Sequence, residues 1–117
     1  MSILFYSYNK CQSCVKARKW LVQNKLPFKE VPIVEKAPTQ SQLKKYWKAS
    51  GLELKKFFNS SGQVYRELKL SQKLKELSAA EQISLLASHG KLIKRPLLVS
   101  DQKVLLGFKV DEYKTLL

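Results

Sequence analysis

The spacing of apolar residues changes from strand-like to helix-like early in the chain. Residues 3–6 form a short apolar run of the kind a buried strand needs, and helical spacing begins at about Gln12. Pro27 ends this helix, whose predicted apolar stripe consists of Val15, Trp20, Leu21 and Val22. Residues 28–34 then predict a second strand. This strand is expected at a sheet edge, because Pro32 cannot donate a ladder hydrogen bond. Strand, helix and strand in this order predict a parallel βαβ unit.

The middle of the chain predicts helices only. Thr39 and Gln42 have the spacing of a capping box, and Gly51 is predicted to end the helix that they start. Ser78 and Glu81 form a second capping box, which opens another helix.

Shorter helical segments are predicted around these two helices. The apolar residues between positions 52 and 58 indicate one, and Ser71 is predicted to cap another that contains Leu74 and Leu77. His89-Gly90 is predicted to close the helix of the second capping box, with His89 favourable to its dipole.

The last third of the chain returns to strands. Residues 97–99 and 104–106 predict a hairpin around a turn at Ser100-Asp101-Gln102, ended by Gly107. A final helix is predicted from Asp111, with a packed face made of Tyr113, Leu116 and Leu117. The element order is that of an α/β, thioredoxin-like domain with a mixed four-stranded sheet. We expect a single domain over residues 1–117, with a helical insertion at about residues 38–90.

Two cysteines lie where the first strand meets the first helix. Cys11 falls at the helix start, where free N–H groups and the positive end of the dipole favour a thiolate or a bound oxyanion. Lys10, Lys16 and Arg18 are expected to add positive charge. Cys11 is therefore predicted to be a partly ionised nucleophile, and Cys14, one turn on, could close a disulfide with it.

Other interpretations of this pair remain open. A zinc site would need two more ligands, and the sequence offers only His89 beyond the pair. We expect a cytoplasmic protein, because the sequence predicts neither a signal peptide nor a membrane span. Structural disulfides are rare in the cytosol. Two inert buried thiols are the main alternative to a reactive pair.

The chain is strongly basic, with 22 Lys and Arg against 9 Asp and Glu, a net charge of +13 and a pI near 9.9. Such a charge attracts phosphates, nucleic acid or acidic protein surfaces. The basic residues are spread over several helical segments, whose polar faces must be solvated in any case. No helix-turn-helix, zinc finger or RNA-binding signature accompanies them. Direct nucleic-acid binding is therefore not expected.

A second candidate for chemistry is Lys94-Arg95-Pro96, just before a buried strand. Pro96 donates no hydrogen bond, so neighbouring backbone groups could be left free for a substrate. If Arg95 points toward Cys11, it would stabilise a thiolate and hold an oxyanion through its fork of donors. The alternative is a solvated arginine at the strand entrance.

Several separated motifs resemble those of the arsenate reductase family, which also contains Spx-type transcriptional regulators. They are Tyr8-Asn9-Lys10-Cys11, Ala37-Pro38-Thr39, Tyr65-Arg66-Glu67-Leu68, Ile93-Lys94-Arg95-Pro96-Leu97 and Gly107-Phe108. The resemblance covers nearly the whole chain. It implies a thioredoxin-like or glutaredoxin-like fold with an inserted helical segment, and a cis peptide bond before Pro96.

The resemblance also implies roles for individual residues. Cys11 matches the cysteine that attacks arsenate, and Arg95 matches one of three arginines that hold the oxyanion. The other two arginine positions hold Asn59 and Phe108 here. Cys14 stands where arsenate reductases commonly have serine, and agrees with the Spx-like branch, in which the pair is a redox switch.

Two main functions follow. The first is a thiol oxidoreductase in which Cys11 attacks a small oxyanion or a disulfide and Cys14 resolves the intermediate. It would need no bound cofactor, and thioredoxin, glutaredoxin or glutathione would supply electrons. The residues predicted to bind substrate are Asn9, Lys10, Gln12, Ser13 and Pro96.

The second function is a Spx-like redox-sensing regulator that binds the RNA polymerase α subunit. The sequence ends at Leu117, without the longer tail of that branch, which counts against it. An inert relative that acts as a binding module is the third alternative.

Overall fold

The computed structural model describes residues 2–101 and 103–117. Its centre is a four-stranded sheet in the order β2-β1-β3-β4, in which β1 and β2 are parallel and the other two pairs are antiparallel. The strands are β1 (Ile3–Ser7), β2 (Lys29–Pro32), β3 (Leu97–Ser100) and β4 (Lys103–Leu106). The mixed four-stranded sheet is therefore confirmed. Gln102, in the predicted hairpin turn, lies outside the described residues.

Helices flank this sheet and fill the segment between β2 and β3. The α-helices are α1 (Gln12–Gln23), α2 (Gln40–Ser50), α3 (Gln63–Glu67), α4 (Leu70–Lys73), α5 (Ala79–Ser88) and α6 (Val110–Tyr113). The 3₁₀ turns are Leu54–Phe57, Leu74–Glu76, Gly90–Leu92 and Lys114–Leu116. The helical elements between β2 and β3 thus run from Gln40 to Leu92.

Pro32 occupies the position that its chemistry requires. It is the last residue of β2, opposite Ser7 of β1, and β2 is an edge strand of the sheet. A proline there removes no ladder hydrogen bond that the sheet needs. The predicted strand is shorter than expected, because the chain turns away immediately after Pro32.

Successive sheet residues belong to two hydrophobic clusters. Tyr6 and Leu97 pack with the insertion helices, whereas Phe5 and Leu98 pack with α1 and the carboxyl-terminal helices. This division follows from the alternation of side chains along a strand. The sheet therefore separates two cores, and α1 packs into the second through Ala17 and Leu21.

Two residues predicted in apolar faces are exposed instead. Val22 is 63% exposed and Leu117 is 71% exposed, so the prediction that they pack was wrong. The buried stripe of α1 is made of Cys14, Ala17 and Leu21, which follow helical spacing.

Both predicted capping boxes are confirmed. The Thr39 hydroxyl accepts from the Gln42 N–H at 3.1 Å, and the Gln42 side chain accepts from the Thr39 N–H at 2.9 Å. Ser78 and Glu81 exchange the same two bonds. Gly51 caps α2 in the left-handed region, with φ of 69°.

Ser71 does not cap a helix, which corrects the prediction. Helix α4 begins one residue earlier, and Ser71 is its second residue. The residue at the cap is Lys69, held at φ of 54° by a turn in which its N–H donates to the Arg66 carbonyl. The turn that follows α3 therefore sets the start of α4, and no capping side chain contributes to it.

Gly90 is required by a close approach of two chain segments. Helix α5 ends at Ser88, and His89 follows in an extended conformation. A Cβ atom on the buried Gly90 would lie 2.1 Å from the Ile33 carbonyl oxygen. The end of the insertion thus packs directly on the backbone that follows β2.

Replacing Gly90 is expected to cost more than replacing Gly51. Gly90→Ala places a methyl group against the fixed Ile33 backbone and should lower the free energy of unfolding by about 3 kcal/mol. Gly51→Ala meets no atom within 4 Å and carries only the left-handed strain, about 1 kcal/mol. Urea denaturation of both variants checks the ranking, and equal losses would contradict it.

Candidate active site

Cys11 is the N-terminal cap of α1. Its backbone is extended, with φ of −107° and ψ of 115°, and its sulfur accepts a hydrogen bond from the Cys14 N–H at 3.3 Å. A turn before the helix fixes this position, because the Cys11 N–H donates to the Tyr8 carbonyl at 3.1 Å. The half-buried Cys11 sulfur therefore takes the place of the usual serine or aspartate cap. A negative charge on that sulfur would lie at the positive end of the helix dipole.

Cys14 differs from Cys11 in its environment. Both cysteines are free thiols, but Cys14 is fully buried. Burial, together with a side-chain hydrogen bond to Cys11, raises the pKa of Cys14 to about 12, against a smaller lowering effect of the Tyr8 backbone. The pair thus consists of an accessible sulfur and a protonated sulfur directly behind it.

Arg18 adds positive charge near the two cysteines, but this charge is paired with Glu30. Its Nε donates to the two Glu30 carboxylate oxygens at 3.0 and 3.1 Å, and its Nη2 also contacts Glu30. The Ser7 hydroxyl donates to the same carboxylate. The hydrogen bond from Arg18, helped by Ser7, holds the pKa of Glu30 below its usual value. Arg18 therefore joins α1 to β2.

Arg95 is half-buried and held on two sides. Its guanidinium carbon lies 4.8 Å from the centroid of the Tyr8 ring, and its Nη1 donates to the Lys91 carbonyl at 3.2 Å. A cation over an aromatic face is attracted by the ring quadrupole. Arg95 is thus ordered beside the turn that leads into Cys11, and is not a freely solvated side chain.

The Arg95-Pro96 peptide bond is cis, as predicted. The backbone groups around it are not all free, which corrects the expectation from the sequence. The Pro96 carbonyl accepts from the Gly107 N–H at 2.9 Å, and the Lys94 N–H donates to the Phe57 carbonyl at 2.8 Å. These bonds tie the proline to the segment after β4 and to the insertion.

A cavity of about 560 Å³ opens beside Cys11. Asn59, Arg95 and Phe108 all line it, so the three positions at which the resemblance places arginines do meet around the cysteine. Its other lining residues are Ser13, Ser61, Gly62, Lys94, Leu106, Gly107 and Lys109.

The predicted substrate-binding residues divide into two groups. Ser13 lines the cavity, whereas Asn9, Lys10 and Gln12 are exposed and Pro96 is buried, all outside its lining. Their roles stay predictions.

Two polar lining residues were not predicted as site residues: Lys109 and Ser61. Lys109 follows the Gly107-Phe108 motif directly, and that adjacency was the available signal. Lys94, which the sequence singled out within Lys94-Arg95-Pro96, lines the cavity as well. Ser61 follows Asn59 and donates to its side chain at 3.2 Å. The cavity thus has three cationic side chains, of which one is an arginine.

Residues 2–101 and 103–117 include no group of three or more His, Cys, Asp or Glu side chains arranged to hold a metal ion. They also include no helix long and apolar enough to cross a membrane.

The sheet order, the Cys-x-x-Cys pair at the start of the first helix and the cis proline before β3 define a thioredoxin-like domain. The sequence model of the ArsC family matches residues 6–116. The chain therefore belongs to the ArsC family, which confirms the resemblance stated from its motifs.

Curated relatives include the protein YusI and two regulatory proteins. YusI of Bacillus subtilis (strain 168) is 50% identical over 114 residues, which cover 97% of each chain. Regulatory protein MgsR of the same strain is 29% identical over 94% of this chain and 86% of its own. The global transcriptional regulator Spx of Streptococcus pyogenes serotype M1 is 28% identical over 100% of this chain and 85% of its own.

Solved structures agree with this fold. A crystal structure of an ArsC family related protein from Bacteroides fragilis has a TM-score of 0.97 at 50% identity, over 100% of this chain and 98% of that one. An arsenate reductase from Vibrio cholerae has a TM-score of 0.84 at 24% identity, over 99% and 96% of the two chains. The second similarity shows the fold alone.

The buried Cys14 thiol should make the free energy of unfolding fall as the pH rises through the alkaline range. Because its pKa rises from 9.0 to about 12 on folding, it stabilises the fold fully below pH 9, and this contribution is lost as the pH rises toward 12. The difference in unfolding free energy between the wild type and Cys14→Ala should shrink by about 1.4 kcal/mol per pH unit in that range. Urea denaturation with a phosphine reductant measures it, and a constant difference would contradict the prediction.

Proposed function

We propose that this chain is a thiol oxidoreductase in which Cys11 is the nucleophile and Cys14 the resolving cysteine. The observation that carries this proposal is the arrangement of the two sulfurs. Cys11 is half-buried at a cavity and accepts the Cys14 N–H, while the Cys14 thiol is buried behind it. This arrangement suits an attack by Cys11 from the solvent side, followed by an attack by Cys14 from the protein side.

With a disulfide substrate, the reaction is two successive exchanges. The Cys11 thiolate attacks one substrate sulfur, the substrate S–S bond breaks, and the other sulfur leaves as a thiolate that takes a proton from water. Cys14 then loses its proton to water and attacks the Cys11 sulfur. The second substrate thiolate leaves, and a Cys11–Cys14 disulfide remains. Two electrons have passed to the substrate, and thioredoxin, glutaredoxin or glutathione would return them.

With an oxyanion such as arsenate, the same pair supplies the electrons. Cys11 displaces an oxygen as water and forms a bond to the central atom. Cys14 then attacks the Cys11 sulfur, and the bonding pair returns to that atom, which leaves reduced by two electrons. Arg95, Lys94 and Lys109 supply the positive charge that would hold such an anion.

Two features of the cavity favour a disulfide over arsenate as the preferred substrate. Asn59 and Phe108 are neutral at positions where the family resemblance places arginines. The Phe108 ring also packs edge-on against Tyr113, with centroids 4.8 Å apart, which keeps an apolar group in the lining. Asn9, Lys10 and Gln12, exposed beside Cys11, would then contact a substrate larger than the cavity, while Ser13 contacts it from the lining and Pro96 supports the lining from behind.

Single cysteine variants test the division of labour. Cys11→Ser should abolish reduction of a small disulfide such as bis(2-hydroxyethyl) disulfide, because the nucleophile is lost. Cys14→Ser should instead accumulate a stable mixed disulfide on Cys11, visible by mass spectrometry under non-reducing conditions. Turnover by Cys11→Ser, or no adduct on Cys14→Ser, would contradict the assignment.

Arsenate turnover should be limited by the missing positive charge. Asn59→Arg should raise kcat/KM for arsenate by about tenfold, because a guanidinium in the lining would stabilise the bound oxyanion. NADPH consumption, coupled to thioredoxin in one reaction and to glutathione plus glutaredoxin in another, measures the rate and identifies the donor. Asn59→Gln is the neutral control, and equal rates for the two variants would contradict this explanation.

A second candidate function is a Spx-like redox-sensing regulator. It is favoured by the 28–29% identity to Spx and MgsR over most of their length. In that case the Cys11–Cys14 disulfide would control binding to the RNA polymerase α subunit, without turnover. Pull-down of purified α subunit by reduced and by oxidised protein separates the two functions, because only a regulator would bind it in a redox-dependent manner.

A further inference from the structure

A large groove runs along β4, the edge strand opposite β2. It has a volume of about 970 Å³, and the strand residues Lys103 to Leu106 all line it. One border comes from the end of α2 and the following turn, through Ala49, Ser50 and Leu52. The opposite border comes from the last helical segment, through Glu112, Thr115 and Leu116. The groove is therefore an open channel with a strand as its floor.

The outer side of β4 offers backbone hydrogen bonds. The Gly107 N–H donates to the Pro96 carbonyl, which fixes the alternation of bonded pairs between β3 and β4. By that alternation Leu105 and Lys103 bond to β3, whereas the N–H and C=O groups of Val104 and Leu106 point outward. No described strand pairs with that side. An extended segment could therefore add to the sheet there.

The charge around the groove selects the kind of segment. Lys56, Lys94, Lys103 and Lys109 line it, against only Asp101 and Glu112. All four lysines are exposed. An acidic segment would gain from this surplus, whereas a second copy of this chain, with its net charge of +13, would be repelled.

The groove continues into the cavity of Cys11. Lys94, Leu106 and Lys109 line both spaces. A segment that lies along β4 can therefore extend past Leu106 and place its next residues beside the Cys11 sulfur. This continuity connects a binding surface to the chemistry.

We propose that the β4 groove binds an extended acidic segment of a partner protein and presents a disulfide of that segment to Cys11. The inference rests on the proposed function and names its substrate class. Main-chain bonds to Val104 and Leu106 give the segment its extended form, and the lysines give the preference for Asp and Glu. Cys11 attacks the segment's cysteine sulfur and expels the sulfur bound to it as a thiolate. Cys14 then attacks Cys11, releases the segment's cysteine as a thiolate, and leaves the Cys11–Cys14 disulfide.

The test uses short peptides with one cysteine held as a mixed disulfide with 5-thio-2-nitrobenzoate. One peptide carries Glu on the amino-terminal side of the cysteine, a second carries Gln, and a third carries Glu with alternate backbone nitrogens methylated. Colour release by the reduced protein, measured at low and high salt, gives the rate of Cys11 attack. The mixed disulfide of 2-mercaptoethanol with 5-thio-2-nitrobenzoate, which has no flanking chain, measures the basal reaction by the same colour release.

We expect the Glu peptide to react about tenfold faster than the Gln peptide at low salt, with a smaller difference at high salt. Backbone methylation should remove most of that advantage. Lys56→Glu and Lys103→Glu, which line the groove but not the Cys11 cavity, should each lower the preference about threefold without changing the basal rate. Lys75→Glu, an exposed charge reversal outside the groove lining, is the matched control and should change neither.

The outcomes separate the two proposals. No reaction with the small disulfide would overturn the thiol oxidoreductase function itself. A normal basal rate with equal Glu and Gln rates would overturn only the groove inference, as would an unchanged rate with the methylated peptide. Dimerisation that Lys103→Glu abolishes, measured by sedimentation, would also overturn it, because a second copy would then cover the groove.

Discussion

The Cys14 N–H donates to the Cys11 sulfur over 3.3 Å, and the placement of that sulfur depends on bonds made well away from it. The turn from Tyr8 to Cys11 starts the helix, and the Ser7 carbonyl just before it accepts the Ile33 N–H at 2.9 Å. Glu30 joins Ser7 to Arg18 across β2. The first βαβ unit is thus closed by hydrogen bonds at the carboxyl end of its strands, where open α/β sheets place their ligands.

The difference between the two cysteines follows from ordinary helix packing. Cys14 shares the buried stripe of α1 with Ala17 and Leu21. Ala17 and Leu21 pack in one cluster with Phe5 and Leu98 of the sheet. Cys11 lies one turn earlier, at a cap, where the backbone leaves the helix and the side chain reaches the cavity. A buried thiol is costly to ionise, and burial is the largest cause of the raised pKa of Cys14, so the two sulfurs are suited to different roles.

Features that depend on neighbouring residues in the sequence were predictable. Both capping boxes, the glycine cap of α2 and the edge position of Pro32 follow from local chemistry, and all are present. The prediction that Ser71 caps a helix was wrong, because a turn from the preceding helix sets the start of α4. The prediction that Val22 packs was wrong, because apolar character alone does not say which side of α1 faces the sheet.

The candidate site was predictable only in part, for a similar reason. Cys11, Cys14 and Arg95 stand out in the sequence because of their motifs. Lys109 has no such signal of its own, and it meets Lys94 where the Gly107 N–H bonds to the Pro96 carbonyl and holds two strand ends together. Arg18 has its charge taken up by Glu30 from another strand, a pairing that helical spacing cannot reveal.

The cavity wall is built from the start of α1, the helical insertion, the segment before β3 and the end of β4. Cys11 comes from the start of α1, while Asn59, Ser61 and Gly62 come from the insertion, which contacts the backbone after β2 through Gly90 and the segment before β3 through a bridge between Phe58 and Ile93. A domain built in this way can vary what it admits by changing residues in the insertion, while the helix that carries the sulfurs keeps its own packing. Selectivity and reactivity are thereby separable under mutation, and one fold can serve several substrates over evolutionary time.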